Sequence, residues 1–554
     1  MSDRPIVVGI NRTQDGSVAV ATPAGVHSLQ KERITRRKHH WGRLGDLPRY
    51  AERLSQLRHP VDLVVECFSS DDEIRNLTDY ERELAELLTF TGGPPRVVRI
   101  SHHLSYLFSA FPPSPYENAA VMVIDAQGSR VRDLTEPWPG DAAPDLLECA
   151  SWYLCERGRV ECLDKQLWNG DWATPAGLGC FYYLLTRMIF PDGEGNEGKV
   201  MGLAPYGRPD PLGLPPLTVQ GPHVLIPDEW TRLVASSGDR FGYGKTSFQD
   251  SADLAAAGRQ AFEEAVLRVA DWLHRETGAS SLCFAGGTAL NCSANGRLMR
   301  EGAYDRVFIP PSPHDGGTAV GCALYGLTEV LGAGSEFRWT NDFLGPDPDA
   351  QAVYEAVAAV PPDLVVEKPA DLAGRMVDLL DSGRVVGLHH GRSESGPRAL
   401  GNRSILGDAR RPGMQDFVNS RVKGREWFRP LAPLVLAEVA EKVFDVDRPA
   451  PFMQFAADVR PEFRSWLPSI THVDGTARLR TVEESETPFL YGLLRAFEAR
   501  TGCPVLLNTP LNGQGQPLVE TPAESLDCLL TTDMHALALP PYLVRKRVEP
   551  DLAG

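Results

Sequence analysis

A basic segment between Arg384 and Arg429 carries the side chains best suited to bind an anion. It holds ten Lys and Arg residues against four Asp and Glu residues, in a chain whose formal net charge is −17. Guanidinium groups fit phosphate and carboxylate oxygens with two parallel hydrogen bonds, and lysine adds a compact point charge. The segment therefore predicts a site for a small, multiply charged ligand. The candidate cations are Arg398, Arg403, Lys423, Arg425 and Arg429.

A solvated basic surface is the ordinary alternative for such a charge run. Glycine and proline residues beside the cations favour a positioned loop instead, because they free or restrict the backbone at defined points. These residues are Gly396, Pro397, Gly401 and Gly424.

A second set of side chains has the chemistry of a metal site. His102 and Tyr106 are four residues apart in an apolar stretch, so a helix would present both on one face. Asp125 ends an apolar run, and Asp315 precedes two glycines and a series of small residues. Imidazole with carboxylates suits Fe, Mn or Zn. The structural alternative is a hydrogen-bonded histidine at a helix start and an aspartate in a turn.

Strand and turn patterns predict the elements that position these groups. The run IVVGIN, the turn TQDGS and the run VAVAT are typical of a β-hairpin. AAVMVIDAQGS predicts a buried strand with Asp125 at its carboxyl end, where open α/β sheets place their ligands. SLCFAGGTALNCSANGRLM predicts a strand, a glycine turn and a helix, with Gly286 and Gly287 facing a phosphate or ribose or forming a plain turn. The two strand-turn units together predict a duplicated, two-lobed nucleotide-binding domain of the actin and sugar-kinase type.

Composition narrows the class of protein. The acidic balance argues against a general nucleic-acid or anionic-membrane surface, because phosphate backbones are bound by broad basic footprints. The sequence has no apolar run of the ~20 residues that cross a bilayer, and its start lacks a signal-peptide pattern, so we expect a cytoplasmic protein. The ten cysteines form no C-x-x-C pair, which gives little support to a thiol zinc site. A segment rich in Gly, Pro and Asp at 335–355 predicts a domain boundary.

Seven sequence strings resemble those of one known family and follow its order. They are ERITRRKHH, EGKVMGLAPYG, FAGGTALNCSANGRL, ESGPRALGNRSIL, VKGREWFRPLAP, THVDGTARLRTV and NTPLNGQGQPLVETP. The chain thereby resembles carbamoyltransferases of the nodulation-protein and cephem type. The resemblance implies an α/β fold, with an actin-like domain over residues 1–345, similar to the tRNA threonylcarbamoyltransferase, and a YrdC-like domain over 346–554.

The resemblance also implies a reaction. Carbamoyl phosphate and ATP, the latter with Mg, would form carbamoyl-adenylate in the YrdC-like domain. The carbamoyl group would then pass to a hydroxyl group of a small natural product, as in antibiotic tailoring. Fe or another divalent metal would bind in the actin-like domain.

Particular residues match the motifs of the family. Arg398, Lys423 and Arg429 would hold the donor and take part in catalysis. The resemblance implies further donor-binding residues, which are Arg478, Asn508, Asn512 and His472, although a histidine beside an Asp-Gly turn could equally be structural. Arg403 and Arg425 of the basic segment are expected to bind the donor as well. The implied nucleotide-binding residues are Lys199, Gly286, Gly287, Asn291 and Asp315. The implied metal ligands are His102, Tyr106, Asp125 and Asp315.

Three positions depart from the family pattern. Tyr106 replaces a histidine at the metal site, so either the phenol coordinates a ferric-like ion or the site is weakened. His103 would point about 100° away on a helix and is no obvious substitute. Gln14 replaces the histidine that would deprotonate the acceptor, which leaves Asp15 as a candidate base or an amine as the acceptor. Pro510 replaces a serine and removes a hydroxyl and a backbone donor.

Other functions remain open at this point. A catalytically silent homologue could bind nucleotide or carbamoyl phosphate as a partner or sensor, but the retained cations argue against it. An actin-fold kinase would leave the basic segment without a role, and transfer to tRNA lacks a phosphate-backbone track. We therefore expect a small hydroxylated acceptor, no nucleic acid or membrane partner, and a homodimer as the commonest assembly.

Overall fold

The chain forms two compact units. The computed structural model describes residues 5–43, 45–67, 82, 84–156, 158–191, 195–236, 238 and 240–548. Unit 1 consists of residues 1–32 and 39–339, and unit 2 of residues 33–38 and 340–554. The change between the units after Trp339 lies in the Gly, Pro and Asp-rich segment. Residues 33–38 belong to unit 2, whereas the sequence-based division placed all of residues 1–345 in the first domain.

Unit 1 contains two five-stranded sheets and a two-stranded ribbon. Its strands are β1 (Val7–Asn11), β2 (Ser17–Thr22), β3 (Gly25–Gln30), β4 (Leu63–Cys67), β5 (Val97–Ile100), β6 (Asn118–Ile124), β7 (Leu147–Glu156), β8 (Arg159–Trp168), β9 (Thr218–Gln220), β10 (His223–Leu225), β11 (Ser281–Ala285) and β12 (Arg306–Phe308). The expected hairpin is confirmed as the antiparallel pair β1 and β2.

The two large sheets of unit 1 repeat one topology. The first has the order β3-β2-β1-β4-β5, and the second has the order β8-β7-β6-β11-β12 when read from the equivalent edge. In both, an antiparallel meander of three strands is extended by two parallel strands. The duplication expected from the two strand-turn units is therefore present in the strand order.

Helices cover these sheets and place side chains at their edges. Those of unit 1 are α1 (Lys31–Thr35, whose last three residues belong to unit 2), α2 (Leu47–Arg53), α3 (His102–Ala110), α4 (Gly177–Ile189), α5 (Glu197–Leu203), α6 (Asp228–Ser236), α7 (Phe248–Thr277), α8 (Cys292–Glu301) and α9 (Thr318–Tyr325). Small residues allow close packing: a Cβ at Gly9 of β1 would lie 2.0 Å from the carbonyl oxygen of Ala319 in α9. Helix α7 begins at Ser247, whose hydroxyl accepts from the N–H of Gln249, and ends at Gly278 with φ of 63°.

Unit 2 is built on an eight-stranded mixed sheet with the order β13-β22-β21-β14-β15-β20-β16-β19. Its strands are β13 (Leu364–Glu367), β14 (Val386–His389), β15 (Arg403–Asp408), β16 (Ala432–Leu436), β17 (Ala457–Asp458), β18 (Thr476–Ala477), β19 (Arg480–Val482), β20 (Val505–Pro510), β21 (Ala536–Leu539) and β22 (Tyr542–Lys546). Its helices are α10 (Ala350–Ala358), α11 (Leu372–Asp381), α12 (Met414–Phe417), α13 (Ala440–Val443), α14 (Pro461–Arg464), α15 (Pro488–Thr501) and α16 (Pro522–Thr531). Both units are thus mixed α/β, as expected. Across the described ranges, none of the helices combines the length and the apolar character needed to span a membrane.

Candidate functional site

Three of the four predicted metal-site residues form a compact donor set in unit 1. His102 is the first residue of α3, Asp125 follows β6, and Asp315 opens the short turn before α9. The Nε2 atom of His102 lies 3.6 Å from Oδ2 of Asp125 and 3.4 Å from Oδ1 of Asp315. One donor atom from each of the three side chains lies within 4.8 Å of the others. Helix start, strand end and turn meet here because all three lie at one edge of the second sheet and its neighbouring helix.

This donor set fits a divalent cation. His102 is fully buried, and its Nε2 has no hydrogen-bond partner among the described residues although it faces two carboxylates. Burial opposes protonation of His102, but Asp315 and Asp125 outweigh burial and raise its pKa well above the ordinary value. For Asp125, burial and the charge of Asp315 raise the pKa. For Asp315, burial is outweighed mainly by His102, so its pKa is lowered. One imidazole and two carboxylates suit Fe, Mn or Zn.

The phenol of Tyr106 lies at both carboxylates. Its oxygen is 2.7 Å from Oδ2 of Asp125 and makes a short contact with Oδ1 of Asp315, and the two acceptors share its one proton. Burial, followed by the charges of the same two carboxylates, raises the pKa of Tyr106 well above its ordinary value. The phenol is thus a hydrogen-bond donor to these carboxylates, and its role as a metal ligand stays a prediction.

The glycine turn after β11 approaches the same carboxylates. A Cβ at Gly287 would lie 3.1 Å from Oδ1 of Asp125, and one at Gly286, where φ is 95°, would lie 2.1 Å from the carbonyl oxygen of Ile124. Asn291 caps α8 by accepting from the N–H of Ala294. The predicted strand, turn and helix are thus confirmed as elements, and the turn lies beside Asp125.

Lys199, the remaining predicted nucleotide contact, lies in α5. Its ammonium group is 5.3 Å from the centre of the Phe190 ring. The described contacts do not join Lys199 to the glycine turn.

The turn between β1 and β2 connects to the metal-site carboxylates through Asn11 and Thr13. The hydroxyl of Thr13 donates to Oδ2 of Asp315 at 2.7 Å. The amide of Asn11 donates to the carbonyl oxygens of Asp15 at 3.1 Å and Asp315 at 2.9 Å. Gln14 is half-buried, and its carbonyl oxygen accepts from Asn11 and Thr13.

Asp15 is paired with a histidine that the sequence argument did not single out. Its Oδ1 and Oδ2 lie 3.0 and 3.3 Å from Nδ1 of His39, and Oδ2 is 3.8 Å from Nε2 of His314. His39 lies 24 positions from Asp15 and belongs to the string ERITRRKHH. Its charge-rich neighbourhood gives no signal that separates it from an ordinary surface histidine.

Lysine and arginine side chains form a basic cluster in unit 2. We define it by Lys423, Arg425, Arg429 and Arg478. Burial and neighbouring cations lower the pKa of Arg425 to about 9, with Arg429 and Arg478 as the charges responsible. Burial, Arg425 and then more distant cations lower the pKa of Lys423 well below its ordinary value. Such mutual repulsion is the electrostatic condition of a site that receives an anion.

Main-chain oxygens hold Lys423 in this cluster. Its ammonium group donates to the carbonyl oxygens of Pro510 at 2.7 Å and Asn512 at 2.9 Å, and to the Asn512 side chain. Pro510 removes a hydroxyl and an N–H, yet its carbonyl still positions the lysine. Asn512 in turn donates to the carbonyl oxygen of Gln516.

Arg398 lies half-buried in a loop that is anchored from two sides. Asn508 donates to the carbonyl oxygen of Ala399 at 2.8 Å, and its own Oδ1 is buried without a hydrogen-bond partner in the described part of the chain. Glu394, which the sequence argument missed, accepts the main-chain N–H groups of Leu400 at 2.7 Å and Asn402 at 2.9 Å. The spacing of residues in the sequence does not indicate that a carboxylate accepts N–H groups of its own loop. The role of Glu394 is therefore visible only in the folded loop.

Arg403 has a structural role besides the one expected. It is the first residue of β15, and its guanidinium donates to the carbonyl oxygens of His390, Gly391, Asn402 and Glu520. Its Nε is buried and has no hydrogen-bond partner in the described part of the chain. Arg403 therefore ties the loop to the sheet, and its role in binding the donor stays a prediction.

His472 lies next to the cluster residue Arg478 in sequence but faces a carboxylate. Its Nδ1 is 3.5 Å from Oδ1 of Asp474. Burial would raise the pKa of Asp474, yet His472 and Thr476 lower it overall.

Comparisons with known proteins agree on one family. Two family models match the chain, Carbamoyltransferase N-terminus over residues 233–324 and Carbamoyltransferase C-terminus over residues 377–546. The uncharacterized protein sll1178 of Synechocystis sp. is 35% identical over 528 residues, which cover 85% of this chain and 80% of that protein. Nodulation protein NolO of Bradyrhizobium diazoefficiens is 34% identical over 468 residues, which cover 81% of this chain and 79% of NolO.

A solved structure of HypF from T. kodakarensis also resembles the chain, with a TM-score of 0.38 and 15% identity. The match covers 59% of this chain and 48% of that one. A likeness this low carries no argument about either fold or function.

Proposed function

The chain belongs to the carbamoyltransferase family, and from this premise we propose that it transfers a carbamoyl group from carbamoyl phosphate, through carbamoyl-adenylate, to a hydroxyl group of a small molecule. Water would first cleave carbamoyl phosphate to carbamate and inorganic phosphate. Carbamate and ATP would then give carbamoyl-adenylate and pyrophosphate, and transfer to the hydroxyl group would release AMP. A homodimer of the chain, working without nucleic acid or membrane, is the proposed form.

The basic cluster of unit 2 is the observation that carries this proposal. Cleavage of carbamoyl phosphate and attack of carbamate on the α-phosphate of ATP both build negative charge on phosphoryl oxygens. Fixed cations that are already in place stabilise such charge at little reorganisation cost. Burial, followed by nearby cations, lowers the pKa of Lys423 and Arg425, and Glu426 lies 3.5 Å from Arg429. A bound phosphate would stabilise the positive charge of this cluster.

Arg398 is proposed to complete the donor pocket. Its loop is tied down at Ala399 by Asn508 and at Leu400 by Glu394. Preorganisation of this kind lets one guanidinium hold a phosphate in a defined orientation. Arg478 lies among the same cations, and Asn512 sets the position of Lys423.

Each unit is proposed to perform one half of the reaction. Unit 2, as a YrdC-like domain, would form the adenylate. Unit 1, as an actin-like domain, would receive it, and its repeated sheet topology and the glycine turn at Gly286 and Gly287 support this assignment.

His102, Asp125 and Asp315 are the residues that would hold a metal ion in unit 1. Such an ion supplies positive charge for phosphoryl oxygens when it is bound. The Tyr106 phenol, whose one proton is shared between the two carboxylates, helps to orient them, and Thr13 donates to the other oxygen of Asp315.

Pyrophosphate release from ATP and carbamoyl phosphate tests the proposal. The wild-type protein is expected to release pyrophosphate and AMP only when both substrates are present. Arg398→Ala is expected to reduce release by about a hundredfold or more, because it removes a positioned charge from the phosphoryl site. Arg495→Ala is the matched control, since Arg495 is half-exposed and pairs with Glu498 in α15.

Other products would contradict the proposal. ADP with a phosphorylated acceptor would identify a kinase. No pyrophosphate from the wild-type protein supplied with divalent metal would indicate a catalytically silent homologue. When pyrophosphate is released, a screen of hydroxylated natural products for the gain of one carbamoyl mass would identify the acceptor.

A further inference from the structure

We propose that His39, oriented by Asp15, is the general base that deprotonates the acceptor hydroxyl in this protein. The inference rests on the proposed function and adds a catalytic residue to it. It resolves the absence of a base at Gln14, where an amide cannot take a proton.

The contact between Asp15 and His39 has the geometry of an orienting pair. Nδ1 of His39 lies 3.0 Å from Oδ1 of Asp15, and the Asp15 side chain is only 9% exposed. A carboxylate at Nδ1 favours the tautomer that carries its proton there, which puts the lone pair on Nε2. The His39 side chain is 32% exposed, and Nε2 is the ring atom nearest to Gly195.

Main-chain bonds hold the two residues against each other. The N–H of Gly16 donates to the carbonyl oxygen of His40 at 2.9 Å, and the N–H of Gly42 donates to that of Thr13 at 2.9 Å. Asp15 and His39 both have φ of 53°, a left-handed conformation that is uncommon outside glycine. The segments that contain Asp15 and His39 therefore both adopt an uncommon backbone conformation, in which the two side chains face each other.

Gly195 provides the surface on which the imidazole rests. A Cβ there would lie 2.2 Å from Nε2 of His39, closer than atoms can approach. Only glycine leaves the ring in its present position, and its φ of 77° also favours glycine.

The pair lies next to the metal-site carboxylates. One amide group, that of Asn11, donates to the main-chain oxygens of both Asp15 and Asp315. Thr13, in the same turn, donates to the Asp315 carboxylate. A base on this turn therefore works beside the proposed adenylate site of unit 1.

Two further titratable groups contact the pair. His314 approaches Oδ2 of Asp15 at 3.8 Å, and Glu32 accepts the main-chain N–H of His39 at 3.3 Å.

The chemical step balances without a further reactant. Nε2 of His39 takes the proton of the acceptor O–H while that oxygen attacks the carbamoyl carbon of carbamoyl-adenylate. A new C–O bond forms, the bond between the carbamoyl carbon and the phosphate oxygen breaks, and AMP leaves with the electron pair. The products are the O-carbamate, AMP and imidazolium, which then loses its proton to solvent.

His39→Gln separates this step from adenylate formation. With glycerol as the hydroxyl probe, formation of glyceryl carbamate is expected to fall about 10²-fold or more, the usual range for loss of a general base. Pyrophosphate release is expected to stay within about twofold of wild type. With hydroxylamine, which attacks without a base, the loss is expected to be much smaller. His59→Gln, at an exposed histidine of unit 1, is the matched control and is expected to behave as wild type.

The outcomes distinguish the two proposals. Equal glyceryl carbamate formation by His39→Gln and wild type would overturn the base assignment, as would an equal loss with hydroxylamine. Failure of the wild-type protein to release pyrophosphate would instead overturn the proposed function.

A measurement of the His39 tautomer needs no acceptor molecule. It tests the general-base assignment even if glycerol is a poor acceptor. ¹⁵N-histidine NMR of the wild-type protein is expected to show neutral His39 with its proton on Nδ1, and Asp15→Asn is expected to disturb that tautomer. Gly195→Ala, which displaces the ring but leaves the histidine, identifies the resonance if His39→Gln fails to fold. A neutral His39 with its proton on Nε2 would refute the proposal.

Discussion

Removal of the Glu394 carboxylate tests whether the Arg398 loop is held from within. Oε1 of Glu394 accepts the N–H groups of Leu400 at 2.7 Å, Asn402 at 2.9 Å and Arg403 at 3.3 Å. Glu394 is 1% exposed, so these bonds form out of contact with water. The loop between Glu394 and Arg403 is therefore closed by one oxygen atom.

The expected loss in the free energy of unfolding follows from the number and type of these hydrogen bonds. A hydrogen bond to a charged group contributes about 1.5–3 kcal/mol, against about 0.5–1.5 kcal/mol for a neutral one. Glu394→Gln keeps an accepting oxygen and loses only the charge, which costs roughly 1 kcal/mol for each of the two short bonds. We therefore expect a loss of about 2 kcal/mol in the free energy of unfolding. Glu394→Ala leaves buried N–H groups without an acceptor and is expected to cost about 3–5 kcal/mol.

Urea unfolding and steady-state kinetics measure the two consequences. The midpoint should fall in the order wild type, Glu394→Gln, Glu394→Ala. The KM for carbamoyl phosphate in pyrophosphate release should rise about tenfold in Glu394→Gln, because a looser loop presents Arg398 less well. Glu462→Gln, at an exposed position of unit 2, is the control. An unchanged midpoint in Glu394→Ala would refute the reasoning.

Three further predictions follow from single contacts. Tyr106→Phe should bind Mn²⁺ at least as tightly as wild type in calorimetry, because the phenol donates to the carboxylates; a loss of more than about tenfold would show that it coordinates. Burial, with added repulsion from Glu394, raises the pKa of Asp342 to about 8, so the folded protein keeps a proton that the unfolded chain loses between about pH 4 and 8. Wild-type stability should therefore fall with rising pH relative to Asp342→Asn, by on the order of 3 kcal/mol in urea titrations, and parallel curves would contradict this. Arg403→Lys should lose about 2–4 kcal/mol of stability with an unchanged KM for carbamoyl phosphate, whereas a raised KM in a stable variant would return Arg403 to the donor site.

Local patterns predicted the elements around the candidate metal site. The β1 and β2 hairpin, the buried strand β6 and the strand, turn and helix from β11 to α8 all rest on periodicity and turn chemistry within a short stretch of chain. The positions of His102, Asp125 and Asp315 could be predicted, because local sequence patterns indicate where a helix starts, where a strand ends and where a turn lies. For the same reason the glycine turn could be expected beside a carboxylate.

Roles set by distant contacts could not be predicted. Tyr106 contacts carboxylates 19 and 209 positions away, and no local pattern indicates these hydrogen bonds. Arg403 and Arg398 are the same residue type in the same segment, yet the strand β15 directs one of them to main-chain carbonyls. The pairing of Asp15 with His39 depends on two left-handed residues that no local rule requires.

Unfavourable features in the free protein argue against a chain that has lost its activity. Non-glycine residues in left-handed conformations cost about 1 kcal/mol or more each, and Asp15 and His39 both adopt one. Burial, followed by neighbouring cations, lowers the pKa values of Lys423 and Arg425. A protein that needed only its fold would be more stable with glycine at Asp15 and His39, or with uncharged residues at Lys423 and Arg425. The two features lie in different units, so a single local cause does not explain both. Carbamoyl transfer does, because it requires a phosphate-binding cation cluster for the donor and an oriented base for the acceptor.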